Sequence, residues 1–232
     1  MMKKLVRNGT VHAGASGGIG YTRTTQNRVP QGVRVRFPPR PLMNKNLKKR
    51  LAYLIGAALG DGNLSNPNGR AVRLRISCFS GYPRIADEIR QTIQTLLPHN
   101  KVSIVKRQGR CFDISVYSNT LEEWMPWKSG CGPKTEQRAR VPEWIRTDLD
   151  FSKECLRGLI QTDGCIYNDR GYPMVNFTSN IEILAIDARM MMESLGFKPN
   201  LSKRLNGKNF KYTVRVSRNA ERFIRVLRLY KA

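Results

Sequence analysis

Two nine-residue segments, LIGAALGDG at 54–62 and LRGLIQTDG at 156–164, limit what this chain can fold into more than any other feature. Each is a small-and-apolar helical pattern that stops at Asp-Gly. Two further landmarks follow each segment in the same order: KRQGR (106–110) is echoed by KRLNGK (203–208), and VYSN (116–119) by VSRN (216–219). The spacing from Asp61 to Asn119 nearly matches that from Asp163 to Asn219. Ordered self-similarity of this kind means one supersecondary unit used twice.

The periodicities inside the two copies agree. Leu51, Leu54, Ile55, Ala58 and Leu59 form a helical stripe, and AVRLRIS alternates as a strand over 71–78. PRIADEIRQTIQTLL (83–97) is an amphipathic helix. KVSIVKR and CFDISVY read as a hairpin around Gln108-Gly109, and NTLEEWMPW as a short closing helix. The second copy predicts a helix at 153–162, a strand at 173–178, a helix at 181–195, strands at 200–205 and 210–217, and a helix at 219–230. With a short strand after each Asp-Gly, at Cys165–Tyr167 in the second copy, the unit becomes αββαββα. The chain is therefore read as α+β, two pseudo-symmetric half-domains packed through their Asp-Gly helices. The expected organisation is a basic extension without fixed structure at 1–46, half-domains at 47–128 and 151–232, and a linker at 129–150. Trp124, Trp127 and Trp144 are expected to anchor that linker, Glu122 and Glu123 to face solvent, and Met190–Met192 to pack in the core.

The net charge is +24, from 41 Lys or Arg against 17 Asp or Glu, and a polyanion is the partner that such a balance fits. Twelve of the basic residues fall in positions 1–50, where no acid occurs. Five cysteines without a C-x-x-C pair, and only two histidines, speak against a structural zinc site and for reduced thiols. No apolar run is long enough to cross a bilayer, and the basic start lacks an apolar signal region. The expectation is a protein that is not secreted and does not enter a membrane, placed in the cytoplasm with the nucleoid or in an organelle.

The repeated Asp-Gly has a specific electrostatic consequence. An aspartate in the last turn opposes the helix macrodipole, which favours a cation there. Gly62 and Gly164 are expected as left-handed C-caps. Gly56, Ala57, Gly60 and Gly158 would let the two helices pack closely, bringing Asp61 and Asp163 to one end of their seam. Carboxylates held that close repel unless a cation intervenes. Hard oxygen ligands beside a nucleic-acid backbone favour Mg²⁺.

These helices resemble those of the LAGLIDADG homing endonucleases, in the single-chain form with two motifs. The resemblance covers residues 48–232 and includes the VPEWI…LRGLIQTDG approach to the second motif. It implies a saddle-shaped antiparallel β surface over double-stranded DNA and cleavage across the minor groove. It also implies metal binding by Asp61 and Asp163, with the carbonyls of Gly60 and Thr162 turned to the metals. The first motif, GAALGD, departs from the family name. No Lys or Gln stands where the family often places a water-orienting group; Cys78 and Phe79, and Cys165 and Ile166, occupy those positions.

Period-2 alternation sorts the strands into faces. Val72, Leu74, Ile76, Val102, Ile104, Phe112, Ile114, Val116, Val175, Phe177, Tyr212, Val214 and Val216 are expected to pack on the helices. The other face should carry Arg73, Arg75, Ser77, Lys101, Ser103, Arg107, Asp113, Ser115, Asn176, Thr178, Arg204, Lys211, Thr213 and Arg215. That palette suits base edges in the major groove. The KR pairs, Lys106-Arg107 and Lys203-Arg204, are read as phosphate contacts. Two unlike halves imply an asymmetric target and a monomer.

The function expected from this reading is metal-dependent, site-specific cleavage of a long asymmetric duplex by an intron-encoded or otherwise mobile element. The alternatives are an intron RNA maturase, with host intron RNA as partner, and a non-cleaving DNA-binding protein. HAGASGGIGYT (12–22) resembles a nucleotide-binding glycine loop, but no strand precedes it, no helix follows it, and no ribose-binding acid lies in the first fifty residues. A dehydrogenase is excluded on that ground. VRFP (35–38) can be encoded by the T-arm of a transfer-RNA gene. Residues 1 to about 42 are accordingly expected to be translated from such a gene, with Met43 as the natural start.

Overall fold

Asn44 opens the structured chain by capping a helix, its side-chain oxygen accepting from the Leu47 amide at 2.9 Å. The computed structural model describes residues 43–207 and 209–230. The glycine loop and the proposed tRNA-derived segment lie outside the described residues. Helix α1 (Lys45–Asp61) leads into β1 (Gly62–Ser65), β2 (Arg73–Phe79), α2 (Pro83–Leu96), β3 (Ser103–Lys106), β4 (Cys111–Tyr117) and the short α3 (Leu121–Trp124). A connection containing α4 (Glu143–Arg146) reaches α5 (Leu149–Asp163). Then follow β5 (Gly164–Asp169), β6 (Tyr172–Ser179), α6 (Glu182–Ser194), β7 (Asn200–Asn206), β8 (Asn209–Val216) and α7 (Ala220–Leu227).

Each half thus repeats αββαββα. Both sheets are four-stranded and antiparallel, with orders β1-β2-β4-β3 and β5-β6-β8-β7. The registers make the repeat residue-exact. Gly62 pairs with Ile76 as Gly164 pairs with Phe177, and Ile104 pairs with Ile114 as Leu201 pairs with Val214. Arg75 therefore corresponds to Asn176, Asp113 to Thr213, and Arg107 to Arg204.

α1 and α5 pack along their lengths and form the centre of the molecule. Every residue of α1 from Leu51 to Leu59 is buried. The expected close approach is present: a Cβ on Gly56 would run into the Cys155 carbonyl, one on Gly158 into the Tyr53 carbonyl, and one on Gly60 into the Thr162 hydroxyl. From Gly56 beside Cys155 to Gly60 beside Thr162 both helices advance together, so they run parallel and their C-terminal ends meet. Asp148 caps α5 by accepting from the amides of Asp150 and Phe151, which starts that helix four residues before the predicted 153.

Several local expectations need correction. Gly62 and Gly164 are not left-handed; their φ values are −83° and −91°. Each helix turns straight into its strand, and a Cβ at either glycine would strike the carbonyl four residues back, of Ala58 or Ile160. Close packing, not positive φ, is what glycine supplies there. Ile104, on the edge strand β3, is 58% exposed although it faces the helix side, and Val102 is only half-buried. Met191 and Met192 are core residues, whereas Met190 is exposed. α7 ends at Leu227, before the predicted 230, because Arg228 turns left-handed and its guanidinium meets Glu154 on α5.

No helix among the described residues is long and apolar enough to cross a membrane. The five cysteines are free, Cys78 and Cys155 buried and Cys111, Cys131 and Cys165 exposed.

Candidate active site and nucleic-acid interface

Asp61 and Asp163 end the two parallel helices, both exposed at the same end of the seam. The carboxylate of Asp163 lies beside Gly60, whose lack of a side chain leaves room for it. Parallel helices add their dipoles, so two negative helix ends and two carboxylates converge on one spot. A cation is the natural complement.

One is supplied by the chain itself. Lys134, from the linker, donates its ammonium to the last carbonyls of α1: Leu59 O at 2.6 Å, Ala58 O at 3.1 Å, and Gly60 O. Burial pushes the Lys134 ammonium down to about 8, while the charges of Asp163 and Asp61 pull it back up. The Gly60 carbonyl, expected to face a metal, is thereby engaged by the lysine. Thr162 closes the other side, its hydroxyl donating to Gly158 O at 2.9 Å.

Lys134 escaped the sequence reading because nothing periodic surrounds it and its partners lie more than seventy positions away. The loop that presents it is tightly built. The Gln137 side chain accepts from Lys128 N at 2.8 Å and donates to Gly132 O at 2.8 Å and Lys128 O at 3.0 Å. Glu122, expected to face solvent, instead accepts from the Ser129 hydroxyl at 2.6 Å and the Ser129 amide at 3.2 Å. The Lys134 ammonium stands 5.4 Å from the centre of the buried Trp127 ring. Asp187, on α6 and fully buried, ties down the far end of the loop through Arg140 Nη2 at 2.7 Å and Val141 N at 3.0 Å. Such a lysine could have been sought as a basic residue just after the Gly-Cys-Gly-Pro turn of the linker, but only the fold brings it to the aspartates.

The surroundings of the two aspartates differ. Asp163 opens on a cleft lined by Lys134, Thr178, Ser179 and Lys211. Asp61 borders a smaller one lined by Ser77, Cys78, Phe79 and Gln161. Burial drives the Cys78 thiol up to about 12, with nearby carboxylates adding to the rise, so it is an uncharged lining group.

On the sheets, Arg73, Arg75, Ser77, Ser103 and Arg107 share the face turned from the helices in the first half. Asn176, Thr178, Arg204, Lys211, Thr213 and Arg215 do so in the second. Lys101 is exposed just before β3. Asp113 and Ser115 lie on the expected face but are buried, at 1% and 4% exposure, beneath their neighbours. Lys106 and Lys203 are on the opposite face: they pair with Phe112 and Tyr212, and the Lys203 ammonium stacks over Phe210 at 4.1 Å. The two residues of a KR pair on a strand must point apart, so only Arg107 and Arg204 join the polar face. That face also holds residues the pattern reading left out, among them Asn63, Tyr117, Tyr167 and Tyr172. Arg73 donates to Ser65 Oγ at 3.2 Å and Arg215 to Asn176 Oδ1 at 3.2 Å, so several side chains are held before any ligand arrives.

Residues 150–228 match the family model of a LAGLIDADG-like domain. The second half is a LAGLIDADG-like domain. No curated protein sequence matches the chain. Among solved structures, mesophilic variants of the homing endonuclease I-DmoI superpose with a TM-score of 0.61 at 19% identity, over 80% of this chain and 99% of that one. I-DmoI in complex with DNA and Mn superposes with a TM-score of 0.60 at 19% identity, over 81% of this chain and 100% of that one. The N-terminal LAGLIDADG domain of DUF199/WhiA follows at 0.56 and 15% identity, over 80% and 85%. At these identities the likeness is one of fold, and it extends over both αββαββα halves.

Proposed function

We propose that this protein is a divalent-metal-dependent endonuclease that cuts double-stranded DNA at a long, asymmetric site. The observation that carries this reading is the convergence of Asp61, Asp163 and the half-buried Lys134 at the end of the helix seam. A protein that only binds DNA has no need of two carboxylates at two negative helix ends. The same fold in I-DmoI, with DNA and Mn, and the +24 charge support the reading.

The donor set suits a hard cation. No cluster of three or more His, Cys, Asp or Glu occurs among the described residues, so water and phosphate oxygens would complete the shell. That is the habit of Mg²⁺, which keeps waters and binds through one or two carboxylates plus phosphates. Asp61 and Asp163 would hold the metal. When bound, it would activate water and stabilise the leaving oxygen of a phosphodiester. The chain's own residues do the rest. Lys134 is fixed in the Asp163 cleft with its donors on the last carbonyls of α1, where its positive charge offsets the two carboxylates and favours a phosphate oxygen nearby. Lys211 and Thr178 line the same cleft and suit the adjacent phosphate. The polar faces of the two sheets position the duplex and read it.

The maturase and regulator readings keep the fold and remove the cleavage; DUF199/WhiA carries the fold under a different name. Incubating the full chain with Mg²⁺ and a randomised duplex library, then sequencing the ends, separates them. A single class of cut sequence is expected. An uncut library together with tight binding of structured RNA would replace this reading with the maturase one.

A further inference from the structure

Asp113 presents a problem for a basic DNA-reading face. It stands in the central strand β4, on the side turned from the helices, yet its side chain is only 2% exposed. Ser77 Oγ donates to its Oδ1 at 2.9 Å, and Arg107 Nε donates to its Oδ2 at 2.9 Å. Arg75 Nη1 lies 3.9 Å from the same Oδ2, while Arg75 Nη2 reaches Asn63 Oδ1 at 3.5 Å. A base-reading carboxylate, which the sequence suggests, would have to be open to a cytosine amino group. This one is enclosed by its own neighbours.

The geometry of Arg107 shows what the enclosure can do. Only Nε is committed to Asp113, and the side chain is 47% exposed. The two Nη groups take no part in that bond. Guanine offers O6 and N7 side by side in the major groove, the pair of acceptors that an Arg fork matches. Fixing the guanidinium through a buried carboxylate removes rotamer freedom before binding, which sharpens discrimination. The second half lacks the device. Thr213 stands at the position of Asp113, so Arg204, the counterpart of Arg107, has no carboxylate in that place.

We infer that Asp113 is a positioning residue for duplex recognition: it pins Arg107, with Arg75 beside it, as a preset guanine-reading fork, so the first half-site is read more stringently than the second. This rests on the DNA-recognition reading above.

The test is bind-and-sequence selection of a randomised duplex library by the full chain. If the unaltered protein enriches no sequence, DNA recognition itself fails and the inference falls with it. If a site is enriched, Asp113→Asn and Arg107→Lys should each lower guanine preference by about tenfold or more at the same one or two positions, in one half of the site. Preference elsewhere should hold, and Arg204→Lys should change its half less. Arg107→Lys keeps charge at an exposed position, so it carries the test even if Asp113→Asn does not fold. An unchanged profile for Arg107→Lys overturns the inference. So does a loss by folded Asp113→Asn that is spread over the whole site or falls at other positions.

Discussion

At the end of α5, Asp163 opens on Lys134, Lys211, Thr178 and Ser179; at the end of α1, Asp61 opens on Ser77, Cys78, Phe79 and Gln161. The backbone beneath is the same in both halves. Ser77 and Thr178, Cys78 and Ser179, and Phe79 and Asn180 are register equivalents. What duplication preserved is the pair of helices and their carboxylates. What it did not preserve is the cationic and polar surround, which has gathered on one side. The polar sheet faces diverge in the same manner: a buried carboxylate organises arginines in the first half, while Arg215 and Asn176 hold each other in the second. A symmetric scaffold with unequal halves suits an asymmetric duplex.

The largest break in this comparison should come from Lys134→Met. Loss of a positioned charge of this kind costs about 10²–10³-fold in rate. Because Lys134 lies in the Asp163 cleft, the fall should be greater on one strand, and nicked duplex should accumulate on a strand-labelled gel. An equal fall on both strands would show that the two sides act as one site.

Gly158→Val should affect both halves alike. Its side chain would press on the backbone of α1 at Tyr53, Gly56 and Ala57, with no flexible group to yield. A cost of about 3 kcal/mol, at the upper part of the overpacking range, is expected in urea unfolding. Both strand cuts should be lost together.

Gln137→Ala is a milder probe. Removing the side chain leaves three backbone groups of the Lys134 loop without their partner. A stability loss of about 1–2 kcal/mol is expected in urea unfolding. Cleavage should weaken on the strand that Lys134→Met affects, with duplex affinity unchanged.

Smallest of all should be Cys78→Ala. A thiol held near 12 is protonated at neutral pH and supplies neither nucleophile nor charge. Strand-resolved rates should stay close to those of the parent protein. A large selective loss on the Asp61 side would mean that the thiol has a role there.

Much of the architecture was legible because the repeat supplies two readings of each element. The helix stripe, the seam glycines and the two aspartates follow from local pattern, and the structure adds that glycine serves packing at 62 and 164. Period-2 alternation told faces correctly for Arg75 and Asn176. It cannot tell coverage: Asp113 stands on the polar face and is still buried, because Arg75, Ser77 and Arg107 close over it. Treating Lys106-Arg107 and Lys203-Arg204 as units overlooked the same alternation, which sends the lysines to the other face. Lys134 was illegible for a different reason. Its partners are helix-end carbonyls far along the chain, and an aperiodic loop becomes specific only through Gln137, Glu122 and Asp187.

Strand-resolved cleavage of the selected duplex by the Asp61→Asn, Asp163→Asn double variant, with Mg²⁺ present, tests the central claim most directly. The account predicts retained duplex binding with no cut on either strand; undiminished cleavage by the folded double variant would contradict it.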